Sequence, residues 1–517
     1  MQPTKRPNFL VIVADDLGFS DTEPYGSEIS TPALQRLAKD GLRMTNFHTA
    51  PACSPTRSML LSGTDNHIAG LGQMAEFMMG SRQKYDGHPG YEGYLNFRVA
   101  ALPEILQDAG YFTLCSGNRG FSKCLSFLPG AGNPHNYEPQ LDARLPPFIK
   151  SSGFWMETDK FIDRSEDLPE NFYSSDYFTD RLLGFLDGRT EDEKQKPFFG
   201  YLAYTAPHWP LQAPREKIAK YRGLYDDGPK ALRDRRLRQL QKLHLVPEDV
   251  IPAPRWKPAA MLDKLDDNIG RVIDYLEASG ELDNTFIVFM SDNGAEGSTM
   301  ESMPIMGSLG IQETLRQFYD SSYENMDNAN SFIMYGPQWA LAATAPSRGF
   351  KGCTTEGGIR CPCIVRYPPL VKTQGGISHS YTNVMDILPT MLDLAGVSHP
   401  GTTFRGREVV TPRGKSWVPM LGSETSEVYG EGEDVAGWEL FGMRAIRRGT
   451  YKAVLLPPPH GTGTWELYDI ESDPGETKDL AASQPEIMRQ LLQDWEVYFS
   501  ETGMIEFHVR GEKVAGM

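Results

Sequence analysis

The sequence predicts an α/β protein: a large central sheet, mostly parallel or mixed and flanked by helices, then a smaller C-terminal α+β unit of antiparallel strands with a closing helix. Three observations point there. Near-continuous apolar, β-prone runs such as Asn8–Ala14 and Thr285–Ser291 have the pattern of strands buried on both faces. Stretches of helical periodicity alternate with these runs. Beyond His399-Pro400-Gly401 the texture changes to short alternating strands separated by turns, with one amphipathic helix at the end. The expected division is 1–398 and 399–517, and 517 residues suffice for one large core and one smaller one.

In chain order, the run Asn8–Ala14 ends in Asp15-Asp16. Ligands gather at the carboxyl ends of buried strands, and two adjacent carboxylates there are costly unless a cation or donors compensate them. A solvated acidic turn would carry the same residues. Thr31 as N-cap, Pro32 at the first helical position, the spacing of Ala33, Leu34, Leu37 and Ala38, and a terminating Gly41 predict a helix. Cys53-Ser54-Pro55-Thr56-Arg57-Ser58-Met59-Leu60-Leu61-Ser62-Gly63 reads as a loop running into a helix, because proline suits a first turn. Cys53 would then stand at the helix N-terminus, where free N–H groups and the dipole favour an anion, with Arg57 one turn on upon the same face. That geometry suits an anionic ester. A lone cysteine in this position also reads as a buried small hydrophobe.

Residues 102–109 and 178–186 have helical spacing, and 112–115 and 197–204 read as strands. Leu262, Leu265, Ile269, Val272, Ile273 and Leu276 mark a long amphipathic helix. Thr285–Ser291 ends in Asp292-Asn293-Gly294, so two core strands finish in Asp-Asp and Asp-Asn. Oxygen ligands converging on the carboxyl edge of one sheet suit a hard divalent cation, Ca²⁺ or Mg²⁺, whereas zinc prefers Cys and His. The competing reading of 292–294 is a tight turn, for which Asn-Gly is a common choice. A further strand is expected at 362–367 and a helix at 384–394 closed by Gly396. In the C-terminal unit, strands at 443–447, 451–456 and 465–469 precede a helix over about 485–499.

Composition narrows the partners. At 40% hydrophobic, 23% charged and 11% aromatic the chain is an ordinary globular sequence. A formal net charge of −17 with no Lys/Arg tract excludes nucleic acid from the expected partners. Lys5 and Arg6 precede an apolar run, but 9–14 is too short for a signal segment, and no run approaches membrane-spanning length. A cytoplasmic protein without a membrane partner is the expectation. Cys53, Cys115, Cys124, Cys353, Cys361 and Cys363 lack the spacing of a disulfide framework. Cys361-Pro362-Cys363 lies in an apolar run, as two strand residues facing the same way.

The string from Cys53 to Gly63, continuing through Thr64-Asp65-Asn66-His67-Ile68-Ala69-Gly70, resembles the signature of type I sulfatases, Cys-x-Pro-x-Arg followed by a glycine. Further blocks look like soluble bacterial-type arylsulfatases of the alkaline phosphatase superfamily. They are 7–18, Ala206-Pro207-His208-Trp209-Pro210, Ser291-Asp292-Asn293-Gly294-Ala295-Glu296, and Phe350-Lys351-Gly352 leading to Glu356-Gly357-Gly358-Ile359-Arg360. The resemblance implies that Cys53 is oxidised to formylglycine by a formylglycine-generating enzyme, and that one hydroxyl of its hydrate attacks the sulfur of a small-molecule sulfate ester. It implies a Ca²⁺ site, with Mg²⁺ the secondary choice, made by Asp15, Asp16, Asp292 and Asn293 with residue 53 at the same ion. Asp292 would also polarise the attacking hydroxyl, Arg57 would hold the aldehyde hydrate, and His208 and Lys351 would contact the sulfate and help protonate the leaving oxygen. Without the resemblance, His208 reads as a strand-end histidine bonded to backbone and Lys351 as a solvated loop lysine.

One departure stands out. Gly110-Tyr111-Phe112-Thr113-Leu114-Cys115-Ser116-Gly117 resembles the start of the family's second signature, which should continue Lys-Trp-His-Leu-Gly but here continues Asn118-Arg119-Gly120-Phe121. A short piece with one lysine and one histidine is thus missing, and a second shortening is expected where 251–258 runs almost directly into the long helix. The expected activity is arylsulfatase-type hydrolysis impaired by that loss. The alternatives are a phosphonate or phosphate ester hydrolase of the same superfamily and a catalytically inactive sulfate-ester-binding homologue.

Overall fold

The structure, a computed structural model, describes residues 5–79, 82–116, 121–127, 132–136, 155–163, 166–248, 260–297, 315–326, 328–334, 336–430 and 435–505. Among them, eleven strands build one mixed sheet: β1 (Asn8–Ala14), β2 (Leu42–His48), β3 (Phe112–Ser116), β4 (Lys123–Phe127), β5 (Trp155–Glu157), β6 (Lys160–Phe161), β7 (Phe198–Ala203), β8 (Thr285–Ser291), β9 (Arg360–Arg366), β10 (Gly376–Ser378) and β11 (Thr382–Asn383). Their order is β10-β2-β9-β8-β1-β7-β3-β4-β5-β6, with β11 also pairing with β2. β8, β1, β7, β3 and β4 run parallel, and β9 runs antiparallel between β8 and β2.

β1 lies in the middle and is buried along its whole length. Its side chains alternate between two cores, as a pleated strand requires. Leu10, Ile12 and Ala14 pack with Leu34, Phe178, Leu265 and Ile269, contributed by the helices Pro32–Asp40, Ser174–Asp187 and Ala260–Ala278. Phe9, Val11 and Val13 pack with Leu60, Leu106, Leu388 and Met391, from the helices Cys53–Ser62, Leu102–Asp108 and Ile387–Ala395. Helices on both faces explain why the sequence of this strand is apolar without interruption.

Local details depart from the sequence reading. β2 was not expected, because Leu42–His48 carries Arg43 and Asn46 at partly exposed positions. It is made a strand by antiparallel pairing with β9, a partner distant in sequence. Thr31 does not cap its helix with its side chain. Its hydroxyl instead accepts the Glu23 N–H at 2.9 Å, and Asp266 takes over by accepting the N–H groups of Ala33 and Leu34 at 2.8 and 2.9 Å. Gly41 ends that helix where a Cβ would stand 2.3 Å from the Val365 carbonyl oxygen, so no larger residue fits. The helix expected from residue 384 begins as a single 3₁₀ turn, Val384–Asp386.

C-terminal to the large sheet, β12 (Thr403–Phe404) and β13 (Arg407–Glu408) form a small ribbon, and β14 (Val435–Leu440), β15 (Met443–Arg448), β16 (Tyr451–Leu455) and β17 (Trp465–Asp469) form an antiparallel sheet in that order. One face of this sheet packs under the helix Pro485–Thr502 through Leu491, Trp495 and Tyr498. Its other face lies against Ile359 and Cys353 of the large unit. Phe404, Val409, Trp417, Met420 and Leu421 join the core of the large sheet. Cys361 and Cys363 share one core, as two same-facing strand residues should. Among the described residues no helix is long and apolar enough to cross a membrane. The break after Gly117 and the shortening at 251–258 lie outside the described residues.

Candidate active site

Topology brings the two acidic strand ends together. β1 and β8 are parallel neighbours with Ala14 opposite Ser291, so the residues that follow, Asp15 and Asp292, emerge side by side. Successive strand residues ordinarily point to opposite faces. At Asp16 the backbone turns left-handed, with φ of +68°, a conformation aspartate tolerates better than most side chains. Both carboxylates thereby reach one locus. The Cys53 Sγ–H donates to Asp15 Oδ1 at 3.2 Å and lies 3.8 Å from Asp16 Oδ1.

Cys53 is the first residue of the helix Cys53–Ser62, with Pro55 in its first turn. The helix N-terminus therefore faces the acidic cluster with its positive end. Arg57, one turn on, directs Nη2 to Asp15 Oδ2 at 2.9 Å and to Asp292 Oδ2 at 2.8 Å, and Nε to Asp292 Oδ2 at 3.0 Å. The Asp16 N–H donates to Asp292 Oδ1 at 3.2 Å.

The other residues arrive on loops at the same sheet edge. Lys351 Nζ sits 2.9 Å from Asp16 Oδ1 and 3.1 Å from Glu296 Oε2. His208, just beyond β7, has Nδ1 against the Trp209 carbonyl oxygen at 2.8 Å and Nε2 at 3.4 Å from Asp16 Oδ2. With Nδ1 as the donor to that carbonyl, Nε2 faces the site with its lone pair when the ring is neutral. Asn293 donates through Nδ2 to Asp16 Oδ1 at 2.7 Å, while its Oδ1 is buried and meets no donor. Thus all eight residues singled out from the sequence, Asp15, Asp16, Cys53, Arg57, His208, Asp292, Asn293 and Lys351, converge on one site. Glu296 was missed as a member. The available signal was a lone acidic residue four positions beyond Asp292, across a short Gly-Ala turn.

Electrostatics follow from burial. Asp15, Asp16, Asp292 and Asn293 are at most 2% exposed. Burial, reinforced by the charge of Asp292, pushes the Asp15 carboxyl well above the ordinary range despite Arg57. Burial likewise raises Asp292 against the pull of Arg57. For Asp16, burial pushes upward, but Lys351 and His208 outweigh it and hold the carboxyl below its ordinary value. Burial and Asp15 raise the Cys53 thiol, so an unmodified cysteine here is a protonated, weak nucleophile. Burial and Lys351 keep His208 neutral by lowering it.

Three aspartates, Asp15, Asp16 and Asp292, thus share two fixed cations, Arg57 and Lys351. Ligand atoms of Asp15, Asp16, Cys53 and Asp292 all lie within 4.8 Å of one another. A surplus of buried negative charge beside an orphaned amide oxygen is the donor set of a hard divalent cation. The residues present fit such an ion.

Comparison with known proteins places this geometry among relatives. A family model described as Sulfatase matches residues 7–397, and one described as N-sulphoglucosamine sulphohydrolase, C-terminal, matches 351–497. An uncharacterized sulfatase of Schizosaccharomyces pombe is 52% identical over 543 aligned positions, covering 97% of this chain and 95% of the relative. The alignment is longer than the 517 residues here, so that relative carries residues with no counterpart in this chain. An arylsulfatase of Klebsiella aerogenes is 32% identical over 82% of this chain and 92% of its own length. In fold, the crystal structure of i-CgsB superposes with a TM-score of 0.66 at 23% identity, covering 96% of this chain and 94% of that one. The phosphonate monoester hydrolase of Agrobacterium radiobacter has a TM-score of 0.54 at 18% identity, covering 96% of each chain.

Proposed function

The chain belongs to the sulfatase family of the alkaline phosphatase superfamily and is a sulfuric ester hydrolase, and we propose that Cys53, converted to formylglycine after translation, is the centre of its reaction. The observation that carries this reading is the placement of Cys53: first in its helix, 3.2 Å from Asp15, and within one turn of the arginine that grips Asp15 and Asp292. The hydrated aldehyde supplies an oxygen nucleophile that a protonated thiol does not.

Asp15, Asp16, Asp292 and Asn293 would hold Ca²⁺, with Mg²⁺ the secondary candidate. The ion would offset their charge and attract a sulfate oxygen. Around it, Arg57 fixes the two outer carboxylates and orients residue 53. Asp292 polarises the attacking hydroxyl. Lys351, an ammonium, neutralises sulfate oxygens and can give a proton to the leaving oxygen, while His208, held by the Trp209 carbonyl, faces the leaving oxygen with Nε2 and donates from it only in its imidazolium form. The substrate is a small-molecule sulfate ester. A formylglycine-generating enzyme acts on the chain during maturation.

The chain would be a slow member of its family. This rests on the sequence after Gly117, which reads Asn118-Arg119-Gly120-Phe121 where the family signature would continue Lys-Trp-His-Leu-Gly. Losing one charge stabiliser costs about 10²–10³ in rate and a positioned base about 10²–10⁴. Mass spectrometry of the peptide containing residue 53, taken from active protein, tests the centre of the proposal. Unmodified cysteine alone in active protein would overturn it.

A second reading is phosphonate ester hydrolysis, favoured by the likeness in fold to a phosphonate monoester hydrolase. Parallel turnover of an aryl sulfate and an aryl phosphonate monoester separates the two. A chain that binds sulfate ester without multiple turnovers would be the inactive homologue.

A further inference from the structure

Beside the reaction site lies a cavity of about 730 Å³, within the roughly 300–1,000 Å³ of ordinary ligand sites. We propose that it receives the alcohol part of the substrate, and that this alcohol is bulky and mostly apolar, a long-chain or polycyclic molecule. The proposal rests on the sulfatase reading above and names the substrate class for the same site.

Most of the wall is apolar, with Leu17, Pro207, Leu211, Ile218, Met261 and Trp339, and Arg222, Asp226 and Glu324 add charge to the rest of it. Leu17 directly follows Asp16, and Pro207 directly precedes His208. Leu211 and Trp339 pack against the cluster of Ala295, Ala340 and Ala343. The cavity wall therefore begins one residue, about 3.8 Å of backbone, from two members of the site, Asp16 and His208. The Trp209 ring continues the connection, 4.7 Å from the His208 ring and 5.6 Å from that of Phe332, whose neighbour Ile333 also lines the cavity.

One wall residue is polar and incompletely satisfied. Gln212 is 1% exposed and donates through Nε2 to the Ser331 and Ala329 carbonyls at 2.6 and 3.0 Å, which fixes the orientation of its amide. Its Oε1 is buried without a donor. Asp21, also in the wall, is already engaged by Arg236 and the Gly18 N–H.

The experiment uses the full-length, metal-loaded protein with 4-nitrophenyl sulfate, a series of butyl, octyl and dodecyl sulfates, and a galactose sulfate. Each methylene that enters the cavity should raise kcat/KM by about fourfold until the space is filled. Ile218→Trp, which narrows the cavity from a half-buried wall position, should cost dodecyl sulfate about tenfold or more and the shorter 4-nitrophenyl sulfate several-fold less than that. A flat response along the series, a preference for the galactose sulfate, or an equal loss on both substrates in Ile218→Trp would overturn the proposal. If no sulfate ester is turned over at all, the sulfatase reading fails instead. Calorimetric binding of octanol then still decides the cavity: binding weakened by Ile218→Trp supports it, and no binding overturns it.

Discussion

Two clusters of buried ionisable side chains sit in this fold and differ in their balance. At the seam between the large sheet and the C-terminal sheet, Lys452 donates to Glu356 Oε1 at 2.8 Å and to Glu476 Oε1 at 2.9 Å. His48 meets Glu356 Oε2 at 2.9 Å, and Glu476 Oε2 accepts the Glu356 N–H at 3.0 Å. Nearby, His67 lies between Asp65 at 2.9 Å and Glu439 at 3.2 Å, while the Tyr498 hydroxyl completes Asp65 at 2.6 Å and the Gly442 N–H completes Glu439 at 2.8 Å. Every oxygen of these four carboxylates faces a donor. At the active site the oxygens of Asp15, Asp16 and Asp292 also meet donors, but Asn293 Oδ1, buried beside them, faces none. A closed network fastens two units together. One that leaves a buried acceptor open beside three carboxylates holds a place for something the chain does not itself supply.

The difference can be broken from either side. The largest effect should come from Cys53→Ala, which removes the nucleophile and should lower turnover by at least about 10⁴-fold with the unfolding midpoint unchanged. A large loss of stability in that variant would mean that residue 53 also belongs to the packing. Lys452→Met strikes the closed network and leaves Glu356 and Glu476 buried without their shared cation. It should destabilise the protein by about 3–5 kcal/mol in denaturant melts without removing bound metal.

Asp292→Asn strikes the open network instead. Turnover and Ca²⁺ affinity should fall together, turnover by about 10²–10³-fold, while the metal-free protein loses no stability because like-charge repulsion is relieved. Full metal occupancy in that variant, measured by elemental analysis, would show that the ligands are misassigned.

Titration sharpens the contrast further. His67 is buried, and although burial lowers it, its two carboxylate partners outweigh this and raise it to about 9. A histidine raised above its unfolded value of 6.5 contributes stability that is fully present below pH 6.5 and lost as pH rises through 9. The decline across that window should be about 3 kcal/mol, read from melts at successive pH values, and His67→Gln should flatten it. The smallest expected effect is that of added Ca²⁺. At about a hundredfold excess over Kd it should stabilise the wild type by about 2.7 kcal/mol, with no such gain in Asp292→Asn.

Much of the site was legible in the sequence because its parts are local. The buried strands announce themselves as apolar runs, and residues at their carboxyl ends can be read directly, which gave Asp15, Asp16, Asp292 and Asn293. Pro55 within a first turn placed Cys53 at a helix N-terminus and Arg57 on the same face. His208 and Lys351 carried no local signal and came from resemblance alone, since a histidine after a strand or a lysine in a loop has many ordinary uses. Glu296 was passed over for the same reason.

What the sequence determined by itself was therefore the elements with a strong local pattern and the residues at their ends, because hydrophobic period, proline and glycine act over a few positions. Only the tertiary structure decided which ends meet. The pairing of β1 with β8, the recruitment of Leu42–His48 as a strand beside β9, and the seam of His48, His67, Glu356, Lys452 and Glu476 all join residues far apart in the chain. Those contacts exist because sheet order and helix packing bury both faces of the central strands, and burial makes it costly to leave any charge at their edge unmatched.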